Sequence, residues 1–238
     1  MKENMEFERT VLTEEEFIGK VELIAARTCR GSEANFINTE LADVTLKNKT
    51  IFRDDFSYSK LTNITFSGIN FEGTLFNYAE LDNVTFYRCR LRRSEFCYAV
   101  MHNVRFKECW MICSSFDYAV GNAVYEQCMV NNMELHHTLA EITLRECAAG
   151  GIQIKYCPNL TLHAENCDLH TGEFVDNTLA GELKNCTLRG SDFSGSDCTL
   201  LFFNDCKMRE INTEGSSGVE IASGSDEEFD LELDLALD

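Results

Sequence analysis

The sequence is poor in several features that would assign it to other classes of protein. It has one proline in 238 residues, and no apolar run reaches the roughly 18 residues of a membrane-spanning helix. Its first residues, MKENMEFERT, are polar and acidic, without the apolar stretch of a signal peptide. Acids outnumber bases 40 to 21, and the resulting net charge of −19 disfavours nonspecific contact with nucleic acid or anionic membranes. We therefore expect a cytoplasmic protein that binds neither directly.

The composition is otherwise that of a folded protein with many thiols. Apolar residues make up 44% of the chain and charged residues 26%, which is typical of a globular domain. The 12 cysteines occur without any secretion signal, so they predict reduced thiols and not a disulfide framework.

A period of five residues dominates the chain. Every fifth residue from Phe36 to Phe116 is large and apolar, seventeen in succession, which chance gives about once in a million trials. This period fits neither a helix nor a flat strand. Two residues before most centres lies a second small or apolar residue, such as Val44 or Cys89. Two inward positions per five residues predict a square solenoid with four sides in each coil.

Four sides of five residues give each coil twenty residues, so equivalent positions should recur every twenty residues, and they do. Two columns show it: Phe36, Phe56, Phe76, Phe96, Phe116, Leu135, Ile154, Phe174 and Phe193; and Leu46, Phe66, Phe86, Phe106, Tyr125, Leu144, Ala164, Leu183 and Phe203. The frame slips by one residue near 121–125, 140–144 and 179–183, which we interpret as adjusted corners in a continuous solenoid. The middle coils, which we call the waist, are predicted to be the least stable part of the solenoid, because small or polar residues occupy their centres and bury less apolar area: Gly121, Ala140, Ala149, Asn159 and Ala164.

These units resemble the pentapeptide repeat family over about residues 32–210. The clearest copies are Ala34-Asn35-Phe36, Ala79-Glu80-Leu81, Ser94-Glu95-Phe96, Cys167-Asp168-Leu169 and Ser191-Asp192-Phe193. The resemblance implies an all-β fold, a right-handed quadrilateral β-helix of about nine coils. It also implies one function, because some members resemble B-form DNA, bind type II topoisomerases such as gyrase, and confer resistance to quinolones or gyrase poisons.

The two ends depart from the repeat and suggest three segments. Residues 1–31 form an N-terminal cap, partly helical, because Thr13-Glu14-Glu15-Glu16 reads as a capping box. Residues 32–212 form the solenoid, and residues 213–238 a Gly/Ser linker and an acidic-hydrophobic tail. The tail alternates acids with Phe229, Leu231, Leu233, Leu235 and Leu237. It predicts either a strand added to a sheet edge, in this molecule or as a homodimer through the C-terminal end, or a disordered tail.

Candidate protein-binding residues lie in the outward columns. Tyr58, Tyr78, Tyr98 and Tyr118 recur at one corner, extended by His137 and Tyr156; they stack for stability or bind a protein. Asn63, Asn83 and Asn103 predict a structural amide ladder. Basic side chains cluster at Arg88, Arg90, Arg92 and Arg93, with Arg105 and Lys107 nearby. They form a solvated face, a site for an acidic partner, or a contact for the tail.

The cysteine, histidine and acidic residues do not combine into a catalytic motif. A ladder of cysteines occupies small inward positions and predicts packing, with a soft-metal channel as the less favoured alternative: Cys89, Cys109, Cys128, Cys147, Cys167, Cys186 and Cys206. The five histidines show no ligand spacing with a carboxylate on one face, and no nucleophile, phosphate-loop or metalloprotease motif is present. We therefore expect no enzyme activity, no cofactor and no metal.

The distribution of charge ranks the two functions that remain. Residues 32–212 carry 24 acids and 16 bases, a net −8, whereas residues 213–238 carry nine acids and no base, a net −9. A DNA mimic concentrates its charge on the rod, yet nearly half lies in the short tail. We therefore expect a non-catalytic protein-binding scaffold or adaptor, and the alternative is a DNA-mimicking binder of gyrase.

Overall fold

The computed structural model describes residues 9–26, 36–51 and 53–219, and these form one helix and sixteen short strands. The helix, α1, covers Glu14–Ala26. The strands are β1 Thr10–Leu12, β2 Thr39–Ala42, β3 Thr45–Lys47, β4 Lys60–Thr62, β5 Thr65–Ser67, β6 Glu80–Asp82, β7 Thr85–Tyr87, β8 Val100–Lys107, β9 Val120–Glu126, β10 Glu134–His136, β11 Leu139–Arg145, β12 Gln153–Lys155, β13 Leu160–Glu165, β14 Glu173–Val175, β15 Thr178–Lys184 and β16 Asp197–Asn204.

Every strand pairing is parallel and joins neighbouring coils, so the fold is a β-solenoid. We number its four faces along the chain from the one centred on Phe76, followed by those centred on Leu81, Phe86 and Leu91. The first-face column from Phe36 to Phe193 spans eight turns, and all nine of its side chains are fully buried. Stacked coils bury this column because each strand pairs with the equivalent residues one coil later. The predicted all-β solenoid is confirmed.

Each corner of the early coils is a residue in the left-handed region of φ. In the coil that begins at Phe76, the four corners are Tyr78, Asn83, Arg88 and Arg93, with φ between 52° and 60°. The second corner carries the predicted amide ladder, because Asn83 Nδ2 donates to Asn63 Oδ1 at 2.8 Å and Asn103 Nδ2 to Asn83 Oδ1 at 3.2 Å. Asn and Asp tolerate this backbone region better than other side chains do.

The frame slips have one structural cause, the loss of the second corner after Asn103. From β9 onward, one extended strand crosses the second and third faces, where earlier coils have two short strands and a turn. An extended strand buries alternate residues, as the Leu160, Leu162 and Ala164 side chains of β13 show. One sequence interpretation was therefore wrong, because Asn159 is exposed and is not a buried centre. The low stability of the waist stays a prediction, and the strands there bury Ile142, Leu160 and Leu162 completely.

The N-terminal segment covers the first coil. Thr13 and Glu16 form the expected capping box, with Thr13 N–H donating to Glu16 Oε2 at 2.9 Å and Glu16 N–H donating to Thr13 Oγ1 at 3.3 Å. The helix buries Phe17 and Val21, and the Phe17 ring lies 5.1 Å from that of Phe36. The cap removes the apolar end of the first-face column from water, as the open end of a solenoid requires.

The other end of the described chain lacks a comparable helix. Phe203, Cys206, Met208 and Val219 are only partly buried against the core there. The acidic-hydrophobic tail, Phe229 to Leu237 included, lies outside the described residues. Within the described ranges, no helix is long and apolar enough to cross a membrane.

Candidate functional site: an aromatic corner

Six aromatic side chains stack along the first corner of the solenoid, and we call them the aromatic corner: Tyr58, Tyr78, Tyr98, Tyr118, His137 and Tyr156. The four tyrosines that come first have ring centroids 4.7–4.8 Å apart and planes within 2° of parallel. His137 follows at 4.8 Å and Tyr156 at 5.3 Å. The five steps extend roughly 24 Å at the spacing of paired strands.

The rings cover each other's faces and present their edges and hydroxyls to solvent. Exposed fractions are 41–49% for the five tyrosines of the corner. Burial raises the pKa of Tyr98 above its usual value, and the neighbouring Tyr118 and Tyr78 add to this. The surface of the aromatic corner is apolar along its sides and lined with hydroxyls.

The backbone beneath these rings is in an unfavourable region for tyrosine. The five tyrosines have φ between 58° and 61°, and His137 has 55°. This conformation costs an L-residue roughly 1–2 kcal/mol, while glycine avoids the cost and asparagine reduces it. Asparagine occupies the second corner at Asn63, Asn83 and Asn103. Local backbone preference therefore does not explain tyrosine at the first corner.

An apolar strip on the second face widens the aromatic corner. Val100, Val120 and Leu139 follow the corner by two residues in successive coils and are paired in register. Val100 and Val120 are half-buried and Leu139 is exposed. The sequence analysis missed this strip, although the spacing of the three residues signals it. A surface with an apolar centre and a polar rim is the usual anatomy of a protein interface.

The predicted basic cluster divides between two faces with different environments. On the third corner, Arg88 pairs with Glu108 at 2.7 Å, and Lys107 lies 4.0 Å from Glu126 on the third face. Arg90, Arg92 and Arg93 lie instead on or beside the fourth face, and all three are exposed. Arg105 is also exposed, on the third face. The cluster is therefore not one continuous patch.

The cysteine ladder lies inside the solenoid between the third and fourth faces. Six of the seven side chains are buried, and Cys206 at the end is partly buried. Most of the thiols donate to a third-face carbonyl one coil earlier, as Cys109 does to Phe86 at 3.2 Å and Cys128 to Phe106 at 3.3 Å. Ser94 and Ser114 make the equivalent bond beside the fourth face. Burial raises the pKa of Cys109, so that thiol is protonated at physiological pH.

One histidine lies beside two carboxylates, contrary to the expectation from sequence. His136 and Glu134 project from β10, and Asp117 occupies the preceding coil; their ligand atoms lie within 4.8 Å of one another. His136 Nδ1 is 3.3 Å from Asp117 Oδ1, which also accepts the His136 backbone N–H at 3.0 Å. Nitrogen and carboxylate ligands suit zinc. These three residues could hold a divalent metal, a grouping that depends on the stacking of coils.

Comparison with known proteins identifies the repeat. A family model described as pentapeptide repeats matches residues 55–93 with eight copies. Residues 55–93 of the solenoid are built of pentapeptide repeats. The match lies in coils that keep all four corners, and the solenoid continues beyond it, losing the second corner after Asn103.

A solved structure shares this fold at low sequence identity. HetL, a pentapeptide repeat protein involved in heterocyst differentiation regulation from the cyanobacterium Nostoc sp. strain PCC 7120, aligns at 16% identity and a TM-score of 0.50, covering 86% of this chain and 92% of HetL. QnrB1, a plasmid-mediated fluoroquinolone resistance protein, aligns at 18% identity and a TM-score of 0.33, covering 74% of this chain and 92% of QnrB1. No curated protein sequence matches this chain.

Proposed function

We propose that the protein is a non-catalytic binding scaffold whose aromatic corner docks a partner protein. The observation that supports this most directly is the uninterrupted stack of six exposed aromatic side chains on strained backbone. Backbone strain concentrates at functional sites. Tyrosine is among the residues that contribute most to binding energy in protein interfaces.

The stack also lowers the entropic cost of binding. Tyr78, Tyr98 and Tyr118 are each held between two neighbouring rings at 4.7–4.8 Å, so their side chains have little rotamer freedom left to lose. Val100, Val120 and Leu139 add apolar area beside the rings, and Glu80 and Asp117 supply polar groups at the rim. This combination fits an elongated protein surface better than a small molecule, because the corner is convex and has no enclosing walls.

Replacing Tyr78 and Tyr98 together by asparagine is expected to weaken partner binding while leaving the solenoid folded. Asparagine suits the left-handed corner, and the neighbouring ladder shows that it stacks there with hydrogen bonds. We expect a loss of at least about tenfold in affinity, since each buried interface tyrosine contributes about 1–2 kcal/mol or more. Quantitative affinity capture with the full chain, followed by binding measurements on the purified partner, tests this.

The matched control changes the diagonally opposite corner. Gln127→Asn with Glu146→Asn places the same side chain at two left-handed positions, φ 54° and 52°, on the third corner. This control must retain the partner. A partner bound equally well by wild type and by the Tyr78→Asn, Tyr98→Asn variant would contradict the proposed role of the aromatic corner.

Gyrase mimicry receives less support from the surface. Bases of one coil pair with acids of the preceding coil along the third face, as Arg145 does with Glu126 at 3.3 Å and Lys184 with Glu165 at 3.2 Å. These pairs interrupt the rows of negative charge that a duplex presents along its length. We therefore place binding to gyrase second to binding of a partner at the aromatic corner.

Purified gyrase is expected to supercoil DNA at an unchanged rate when this protein is added, with or without a quinolone. The physical reason is the paired charge along the rod, which weakens competition with DNA for a basic channel. A titration to low micromolar protein measures this. Inhibition of supercoiling, or protection from the quinolone, at submicromolar protein would reverse the ranking of the two functions.

The many free thiols support a reducing cellular compartment as the location of this protein. Cys109 and Cys147 of the buried ladder have raised pKa values and donate hydrogen bonds through Sγ, Cys147 to the Tyr125 carbonyl at 3.4 Å. Burial similarly raises the pKa of Cys157 to about 11. We propose a cytoplasmic protein, since reduced cysteines persist in that environment.

A further inference from the structure

The fourth face carries an exposed apolar and basic surface that the aromatic corner does not include. We call it the Trp–Arg patch and define it by Arg90, Arg92, Arg93, Trp110 and Met129. Arg90, Trp110 and Met129 occupy equivalent positions in three successive coils. The Arg90 guanidinium lies 5.0 Å from the centroid of the Trp110 ring. Trp110 is 51% exposed and Met129 40% exposed.

The three arginines of the patch lack the ion pairs that other bases of this protein have. Arg88, Lys107, Arg145, Lys155 and Lys184 each pair with a glutamate of an adjacent coil. Among the described residues, no carboxylate lies within ion-pair distance of Arg90, Arg92 or Arg93. In a protein with a net charge of −19, three adjacent unpaired arginines form a local site for negative charge.

Tryptophan, methionine and arginine are the residue types that interfaces favour over the rest of the surface. Trp110 and Met129 provide an apolar centre, and half-buried Ile112 lies beside them on the same face. The arginines provide one charged side. The chemistry of the patch therefore selects an occupant that is apolar and acidic at once.

The C-terminal segment of this chain has that chemistry. Residues 226–238 contain seven acids, no base and a regular alternation of apolar residues from Phe229 to Leu237. We propose that residues 226–238 of the same molecule dock on the Trp–Arg patch, with their leucines against Trp110 and Met129 and their carboxylates against the three arginines. The proposal is independent of the partner that the aromatic corner binds.

The chain is long enough for this contact. Five coil steps connect Trp110 with Lys207 through paired positions on the fourth face, an axial distance of roughly 24 Å. The segment after Val219 contains nineteen residues, and an extended chain of that length spans up to roughly 65 Å. The eleven residues 220–230 alone span up to roughly 37 Å, so the chain can lead back along the rod and place the leucines from Leu231 onward on the patch.

Trp110 is the one tryptophan of the chain, so its fluorescence reports on the patch directly. The test compares the full-length protein with a tail variant, Leu231→Ser, Leu233→Ser and Leu235→Ser, and with a patch variant, Arg92→Glu and Arg93→Glu. Both variants are expected to raise the acrylamide quenching constant of Trp110 by about twofold, because the docked segment covers the exposed half of the ring. Added salt is expected to raise quenching in wild type and leave the tail variant unchanged.

The control replaces exposed apolar residues far from the patch. Leu200→Ser with Phe202→Ser changes β16 and is expected to leave the quenching of Trp110 as in wild type. Circular dichroism and the melting temperature establish that each variant is folded. Equal quenching in wild type and the tail variant would overturn the proposal. Quenching that rises on dilution of wild type would also overturn it, because the occupant would then be the tail of a second copy.

Discussion

Replacing Gly121 with alanine is expected to destabilise the solenoid by about 4 kcal/mol, among the largest effects of any single substitution. Gly121 has φ of 110°, and a Cβ there would lie 1.9 Å from the carbonyl oxygen of Met101 and 2.8 Å from its carbonyl carbon. Both atoms belong to the backbone of the preceding coil, which cannot move without breaking the pairing of β8 with β9. Urea unfolding followed by circular dichroism measures the change.

A second glycine supplies the control for Gly121. Gly19 lies inside α1, and a Cβ there would meet nothing within 4 Å. Gly19→Ala is therefore expected to stabilise the helical cap by about 0.5–1 kcal/mol, since alanine has less backbone entropy to lose. If Gly121→Ala changed the urea midpoint no more than Gly19→Ala does, the close approach of Gly121 to the Met101 backbone would be contradicted.

Removing the Phe96 ring is expected to cost about 3–5 kcal/mol of unfolding free energy. Phe96 lies in the middle of the first-face column, stacked at 4.7 Å on both Phe76 and Phe116. Its edge also contacts the rings of Phe86 and Phe106, with centroids at 6.1 and 5.7 Å. Phe96→Ala leaves a cavity that stacked coils cannot close, because strand pairing fixes their spacing. Thermal and urea unfolding of the full chain measure the loss.

A conservative substitution separates the cavity from the loss of stacking. Phe96→Leu keeps most of the apolar volume, and the same column already accepts Leu135 and Ile154. We expect it to cost about 1 kcal/mol. A cost below about 1 kcal/mol for Phe96→Ala would mean that neighbouring coils relax into the space, contrary to close packing of the column.

The pentapeptide period by itself predicted the solenoid, because the signal is local and repeated. Each unit places its own centre inward, as Phe76, Leu81, Phe86 and Leu91 do in one coil, without knowledge of any distant contact. The twenty-residue spacing then aligns equivalent residues in neighbouring coils. This is why the sequence identified the amide ladder at Asn63, the aromatic corner and the cysteine ladder as columns.

The tertiary structure decided where the repeat is modified. A slip of one residue near Gly121 is compatible with a shortened corner or a lost one, and only the backbone pairing of β8 with β9 distinguishes them. The same change moved the inward position from Asn159 to Leu160. Over so few residues, the spacing of apolar side chains is similar for an extended strand with a period of two and for a coil with corners and a period of five. The sequence alone therefore does not distinguish the two.

Contacts between columns also required the structure. The sequence grouped Arg88 with Arg90, although Arg88 pairs with Glu108 and Arg90 lies over Trp110. The sequence spacing did not indicate a contact between His136 and Asp117. Adjacent coils bring His136 Nδ1 to 3.3 Å from Asp117 Oδ1. Sequence spacing assigns a residue to a face and a coil. Only the stacked backbone fixes which side chains of neighbouring coils meet, because these contacts depend on register, corner geometry and side-chain direction.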